Sequence, residues 1–203
     1  MDILYSDQNI IVCIKPVGLD SEKQVPNLLK AQFSGDIYTL HRLDMNVGGV
    51  MVYARKKHIA AELSKAIQEN LMVKEYISTV HGTPPEKGDW EDLLFKDSRK
   101  NKVFVVKRMR SGVKKARLEF IRLTEGEYSK VHIRLHTGRS HQIRVQFASR
   151  GLPLVGERKY SERNDPCEIA LWSYKISFIH PKSGKRITFS KNPPAVYPWL
   201  LFH

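Results

Sequence analysis

Cysteine is nearly missing from this chain of 203 residues: Cys13 and Cys167 stand far apart. Neither has a Cys or His at metal-ligand spacing, which argues against a disulfide framework and a zinc site, and for reduced thiols in a cytoplasmic protein. Long apolar runs are missing too. None approaches the ~18 residues that span a bilayer. The N-terminus, MDILYSDQNI, lacks the basic segment followed by an apolar one that marks a secretory leader. There is no phosphate-cradling glycine loop, no dinucleotide fingerprint, no internal repeat and no interdomain linker. Acids are scarce beside bases, 21 Asp and Glu against 34 Lys and Arg, a formal net charge of +13. Such an excess calls for a polyanionic partner, and nucleic acid is the first candidate. A membrane surface is the weaker one, because no helix combines a basic face with a bulky apolar one.

What is present reads as one α+β domain over residues 1–203, with a mostly antiparallel mixed sheet flanked by short helices. Hydrophobic residues make up 41% and charged residues 27%, a globular composition with enough chain for a core. Residues 2–5 and 9–14 predict short strands, the second stopped by Pro16. Residues 26–34 predict a short helix with Pro26 in its first turn. Residues 57–70 predict an amphipathic helix burying Ile59, Leu63, Ala66 and Ile67. Residues 72–80 read as a strand rich in β-branched and aromatic residues, with Lys74, Tyr76 and Ser78 on one face. Residues 96–115 carry nine Lys or Arg and a single acid, Asp97. They read as an exposed strand or hairpin able to follow phosphates, Lys107 and Arg108 among its cations. Residues 116–123 and 128–136 read as strands. The second alternates strictly, with Ser129, Val131, Ile133 and Leu135 facing inward and a basic, aromatic face outward. Ser140 is placed as N-cap of a short helix carrying Ile143, Arg144 and Phe147 and stopped at Gly151. Residues 168–190 read as a hairpin, and the tail NPPAVYPWLLF is expected to pack down.

Two stretches carry the chemistry. The first is HRLDMNVGGVMVYAR at 41–55, in which a histidine, an arginine and an aspartate precede a glycine pair and an apolar run. A charged loop feeding a buried strand is the reading, with Gly48 and Gly49 allowing a tight turn or close approach. The second is LHTGRSHQIRVQFASRGLPLVG at 135–156.

HRLD, then KEY at 74–76, then TGRSHQIR resembles the RluA-type pseudouridine synthases of the wider RsuA and RluA grouping. The resemblance runs from Lys15-Pro16-Val17-Gly18-Leu19 to HPKSGKRITF and so covers nearly the whole chain. It implies an enzyme that isomerises uridines in ribosomal or transfer RNA without metal or cofactor. A cytoplasmic monomer is the expectation for the chain, and no obligate protein partner is evident in the sequence. By that resemblance Asp44 is the catalytic carboxylate, acting as nucleophile at the sugar or as base on the ribose. Arg144 is the guanidinium that keeps it ionised against desolvation. Tyr76 stacks on the flipped base, and Arg42 fills the space the base leaves. His41, Arg139 and His141 contact RNA or support loops, and Lys74 joins the RNA contacts. Blander roles are a surface or phosphate arginine for Arg144, a core tyrosine for Tyr76 and a phosphate contact for Arg42. Val47-Gly48-Gly49 replaces the family's frequent Thr-Ser-Gly, Gln146 a frequent histidine, and Glu157 the usual aspartate. The KPVGL match begins too early to leave room for an N-terminal RNA-binding module. Rival readings are a catalytically silent RNA-binding or ribosome-assembly factor on the same fold, and a basic hydrolase using Asp44 with His41 or His141.

Overall fold

The computed structural model describes residues Met1–Phe202. Eleven strands and three α-helices follow one another as β1 (Asp2–Ser6), β2 (Ile10–Lys15), α1 (Gln24–Gln32), β3 (Tyr38–Thr39), β4 (Gly48–Ala54), α2 (Lys57–Gln68), β5 (Val73–His81), β6 (Lys87–Asp97), β7 (Lys102–Val106), β8 (Val113–Arg122), β9 (Tyr128–Leu135), α3 (Gln142–Ala148), β10 (Leu171–Ile179) and β11 (Arg186–Ser190), with a final 3-10 turn at Trp199–Phe202. The class is α+β with mixed, mostly antiparallel pairing. The chain falls into two compact units, one of Met1–Glu75 with Trp172–Pro193, the other of Tyr76–Leu171 with the segment from Pro194 onward.

In the first unit the strand order is β1-β2-β4-β10-β11, with β3 also on β4. All these neighbours are antiparallel except β4 and β10, which run parallel. All seven residues of β4 are buried, as are five of the six in β2. Both strands are therefore covered on two faces, which is why they read as continuous apolar runs rather than alternating ones. One face supplies Ile10, Val12, Val50, Val52 and Ala54 to a core with Ile59 and Leu63 of α2 and Ile176 and Phe178 of β10. The β10–β11 hairpin is the one expected, in register from Lys175↔Ser190 to Ile179↔Arg186.

In the second unit β9, β8, β6 and β7 are neighbours in that order, all antiparallel. The alternation read in β9 holds: Ser129, Val131 and Ile133 are buried while Arg134 is exposed. Helix α3 packs on this sheet through a cluster of rings. Trp90 stands 4.4 Å from Phe120 and 4.7 Å from Phe147, centroid to centroid.

Three expectations need correction. Residues 87–97 form the eleven-residue strand β6, which the sequence did not announce. Asp89, Glu91 and Asp92 disfavour strand in isolation, but Asp89 and Glu91 pair across to Arg117 at 2.8 Å and Lys115 at 3.5 Å. Ladders to β7 and β8, with Leu94 and Trp90 packed on one face and these charge pairs on the other, override propensity here. The N-cap of α3 is His141 in the left-handed region, not Ser140, and no side chain caps the helix. In the apolar tail Trp199 is buried, but Val196, Tyr197, Leu200 and Leu201 are exposed.

The parallel contact of β4 with β10 depends on glycine. Gly49 has φ +122, and a Cβ there would lie 2.3 Å from the Ser173 carbonyl oxygen. Gly49→Ala should therefore combine backbone strain with overpacking and cost about 3 kcal/mol. The measurement is a denaturant melt against wild type, and a loss within ~0.5 kcal/mol, the range of ordinary surface substitutions, would contradict it.

Candidate active site

Asp44 lies in the irregular segment between β3 and β4, and the residues on either side of it are both held by the loop that follows β2. Ser21, 2% exposed, bonds reciprocally to Leu43: its hydroxyl donates to the Leu43 carbonyl at 3.0 Å and accepts the Leu43 N–H at 3.2 Å. Ser21 is itself fixed, its carbonyl accepting the Tyr53 hydroxyl at 2.9 Å. On the other side the Met45 carbonyl accepts both the Lys15 ammonium at 3.1 Å and the Gly18 N–H at 2.8 Å. Gly18 makes that bond with φ +90, a conformation glycine enters at no steric cost. The Val47 N–H closes the turn on the Asp44 carbonyl at 2.9 Å. The segment from Lys15 to Ser21 thus works as a clamp on the HRLD turn.

Lys15 is the buried end of β2, and its ammonium also donates to the Pro16 carbonyl at 2.9 Å. Burial pushes its pKa down to about 8, against the opposing pull of Asp44 and then Asp20. A lysine at the end of an otherwise apolar strand is a signal legible in IIVCIK, yet its role at Asp44 was not drawn from the sequence. Nothing in the sequence marked Ser21.

The neighbours of Asp44 in the motif diverge. His41 turns inward, its Nε2 accepting the Val52 N–H of β4 at 3.3 Å, which leaves the ring proton on a buried Nδ1 with no hydrogen-bond partner among the described residues. Burial first, and then the charge of Lys74, push its pKa down to about 3. His41 is neutral and supports β4. Desolvation likewise lowers the pKa of Lys74. Arg42 turns outward and pairs with Glu22 at 3.1 Å, both side chains about half exposed.

In the second unit Arg144 projects from α3 and is buried. It makes a two-pronged bond to Glu157, Nε to Oε2 at 2.6 Å and Nη2 to Oε1 at 2.8 Å, with side-chain exposures of 7% and 0%. Glu157 also accepts the backbone N–H groups of Lys159 at 2.7 Å and Tyr160 at 3.2 Å. The Tyr160 ring lies 5.6 Å from the Arg144 guanidinium carbon. Its hydroxyl takes the Val103 N–H at 2.9 Å and stands 2.7 Å from Nδ1 of His141. His141, at φ 49 and ψ 23, is one of three described non-glycine residues with positive φ, a local strain held by this surrounding network. Gln142 ties the TGR turn together, accepting from Thr137 Oγ1 at 2.7 Å and the Arg139 N–H at 3.0 Å. Tyr76 is a buried residue of β5, 6% exposed. Lys107 and Arg108 lie in the exposed connection between β7 and β8. The first unit thus gathers Asp44 with Lys15 and His41 with Lys74, and the second gathers Arg144, Arg139 and His141. Glu157 and Tyr160 complete that second group; the sequence reading noted Glu157 as a departure and missed Tyr160.

The sequence model of a family described as RNA pseudouridylate synthase matches residues 9–149. The ribosomal large subunit pseudouridine synthase D of Neisseria meningitidis serogroup A is 29% identical over 222 aligned residues, covering 96% of this chain and 58% of the relative. The tRNA pseudouridine synthase C of Haemophilus ducreyi is 28% identical, covering 94% of this chain and 90% of the relative. A solved structure, human RNA pseudouridylate synthase domain containing 1, superposes with a TM-score of 0.82 at 21% identity, covering 98% of this chain and 85% of that one, a likeness of fold.

The clamp can be tested from both sides. Ser21→Ala strands a buried N–H and carbonyl of Leu43 and should cost about 1–3 kcal/mol in a denaturant melt; an unaltered midpoint would remove Ser21 from the clamp. For Lys15 the folded pKa is depressed, so the unfolded chain binds the extra proton between about pH 8 and the ordinary lysine range. Stability contributed through this group therefore rises with pH across that window. Lys15→Met should flatten that rise by the order of 1–2 kcal/mol, once solvent screening is allowed for. Parallel stability curves for the two proteins from pH 7.5 to 10 would contradict it.

Proposed function

Because the chain belongs to the RNA pseudouridylate synthase family, we propose that it isomerises uridine to pseudouridine in ribosomal or transfer RNA in the cytoplasm, as a monomer whose residues 1–203 form one catalytic domain. The observation that carries this reading is the family match over residues 9–149, which takes in HRLD, KEY and TGRSHQIR and with them Asp44, Tyr76 and Arg144. The names of the Neisseria and Haemophilus relatives, one for ribosomal and one for transfer RNA, support the substrate class.

The reaction breaks the bond from uracil N1 to ribose C1′, turns the base, and joins C5 to C1′. The proton on C5 leaves to solvent and one returns to N1, so the composition of the RNA is unchanged and no external reductant or energy source enters. Asp44 acts at the ribose, as nucleophile at C1′ or as base on the sugar. Its clamped turn supports either role, because a carboxylate whose flanking peptides are fixed loses little freedom when it reacts. Arg144 serves the aspartate, and its two bonds to Glu157 restrict where the guanidinium can sit. Tyr76 stacks on the extruded uracil. Arg42 occupies the vacated position in the helix, a role that suits a side chain held by an exposed ion pair to Glu22, worth at most ~1 kcal/mol. Lys74, Arg139, His141, Lys107 and Arg108 contact RNA, and His41 supports the loop.

The decisive test is release of tritium from RNA labelled at uracil C5, using total RNA from cells lacking this gene. Wild-type protein should release tritium, and Asp44→Asn should release none while binding RNA within a few fold of wild type. Substantial release by Asp44→Asn would remove Asp44 from the chemistry. No release by either protein, with tight binding and with a known synthase active on the same RNA, would favour the silent binding factor.

A further inference from the structure

The sheet of β6, β7 and β8 has two faces with opposite treatment of charge. On one, Arg117 pairs with Asp89 and Glu119, and Lys115 with Glu91. On the other, Trp90 and Leu94 pack toward α3, and Asp92 pairs with Arg150 at 2.8 Å. Beyond Leu94 this second face changes character. Lys96 follows Leu94 on the same side of β6, Lys114 lies directly across from Leu94 on β8, and Val103 lies across from Lys96 on β7. The loop 138–140 closes the end and brings Arg139. Together these residues line a cleft of about 190 Å³.

Lys96, Lys114 and Arg139 make no ion pair with any carboxylate among the described residues. Arg139 is nevertheless anchored. Its Nε donates to the Lys115 carbonyl at 2.9 Å and its N–H to Gln142, which leaves both terminal nitrogens of the guanidinium uncommitted. Gly112, at φ +80, keeps one wall low, and the Ser140 side chain adds a hydroxyl. The floor is apolar, Leu94 and Val103 each being 3% exposed. Three like charges around one cleft repel, and the repulsion is relieved by an anion placed among them. A guanidinium with two free prongs fits phosphate oxygens in particular.

We propose that this cleft is a nucleotide subsite: Lys96, Lys114 and Arg139 hold an internucleotide phosphate of the RNA strand, and its ribose or base lies over Leu94 and Val103. The subsite rests on the reading of the protein as an RNA-modifying enzyme, but its test does not require turnover. The full chain and Lys96→Gln/Lys114→Gln are titrated with a labelled single-stranded RNA oligonucleotide across a NaCl series. The double variant should bind at least tenfold more weakly at low salt, and the slope of log K against log[NaCl] should flatten by ~0.7 for the lost phosphate. Lys115→Gln, on the paired face, should leave the slope unchanged. An unaltered slope in the double variant, or equal flattening by Lys115→Gln, would overturn the subsite. The dinucleotide UpU should displace the oligonucleotide better than inorganic phosphate at matched ionic strength; equal displacement would reduce the cleft to an anion hole and overturn the nucleotide assignment. In the tritium assay the double variant should show a raised KM with kcat retained. Failure of the wild type to release tritium would count against the isomerase, whereas an unchanged salt slope counts against this cleft alone.

Discussion

A buried ammonium group organises the first unit. Lys15 ends the most apolar strand of the chain, and its Nζ spans from the Pro16 carbonyl to the Met45 carbonyl. A desolvated charge at that position costs stability on its own. It persists because two carbonyl dipoles and the nearby Asp44 and Asp20 carboxylates compensate it. The same bonds fix the peptide that follows Asp44, while Ser21 fixes the peptide that precedes it. The aspartate therefore sits on a turn with little freedom, although it belongs to no helix or strand. The glycine pair that follows continues the constraint, since Gly48 and Gly49 bring β4 against Trp172 and Ser173 of β10 at distances no side chain would permit.

The second unit uses a different device. Arg144 and Glu157 are both out of water and satisfy each other in two parallel bonds. Such a pair contributes little net stability against a well-packed apolar alternative, but removing either partner leaves an uncompensated buried charge. Its value is geometric. Glu157 is locked by two backbone N–H groups, so the guanidinium plane is set by the backbone of the 157–160 turn rather than by its own flexible stem. The glutamate at 157 has the reach to bond the guanidinium through both of its carboxylate oxygens.

Much of this was legible in the sequence, for physical reasons that differ by element. Strands β2, β4 and β9 and helix α2 were readable because burial imposes its periodicity directly on residue type: continuous apolar runs where both faces are covered, strict alternation in β9, a 3.6-residue stripe in α2. Strand β6 was not readable, because its stability lies in partners on β8 and α3 that sequence order does not display. The same distinction separates the site residues. Asp44, Tyr76 and Arg144 stood out in motifs. Ser21 and Tyr160 act through bonds to backbone groups 22 and 57 residues away, and a serine or tyrosine carries no local mark of such a partner.

Charge shows most clearly why composition alone underdetermines a surface. The net charge of +13 implies a polyanionic partner but does not say where it binds. Within the sheet of β6 to β8, alternation sends Lys115 and Arg117 to a face where acids from β6 pair with them, and sends Lys96 and Lys114 to a face whose β6 acid, Asp92, is engaged by Arg150 and Gln146 instead. Neighbouring lysines at 114 and 115 thus belong to different electrostatic environments. The excess positive charge is not spread evenly over this sheet. Lys96 and Lys114 fall where cross-strand register brings no carboxylate to them, so register, not residue count, decides which of two neighbouring lysines is paired.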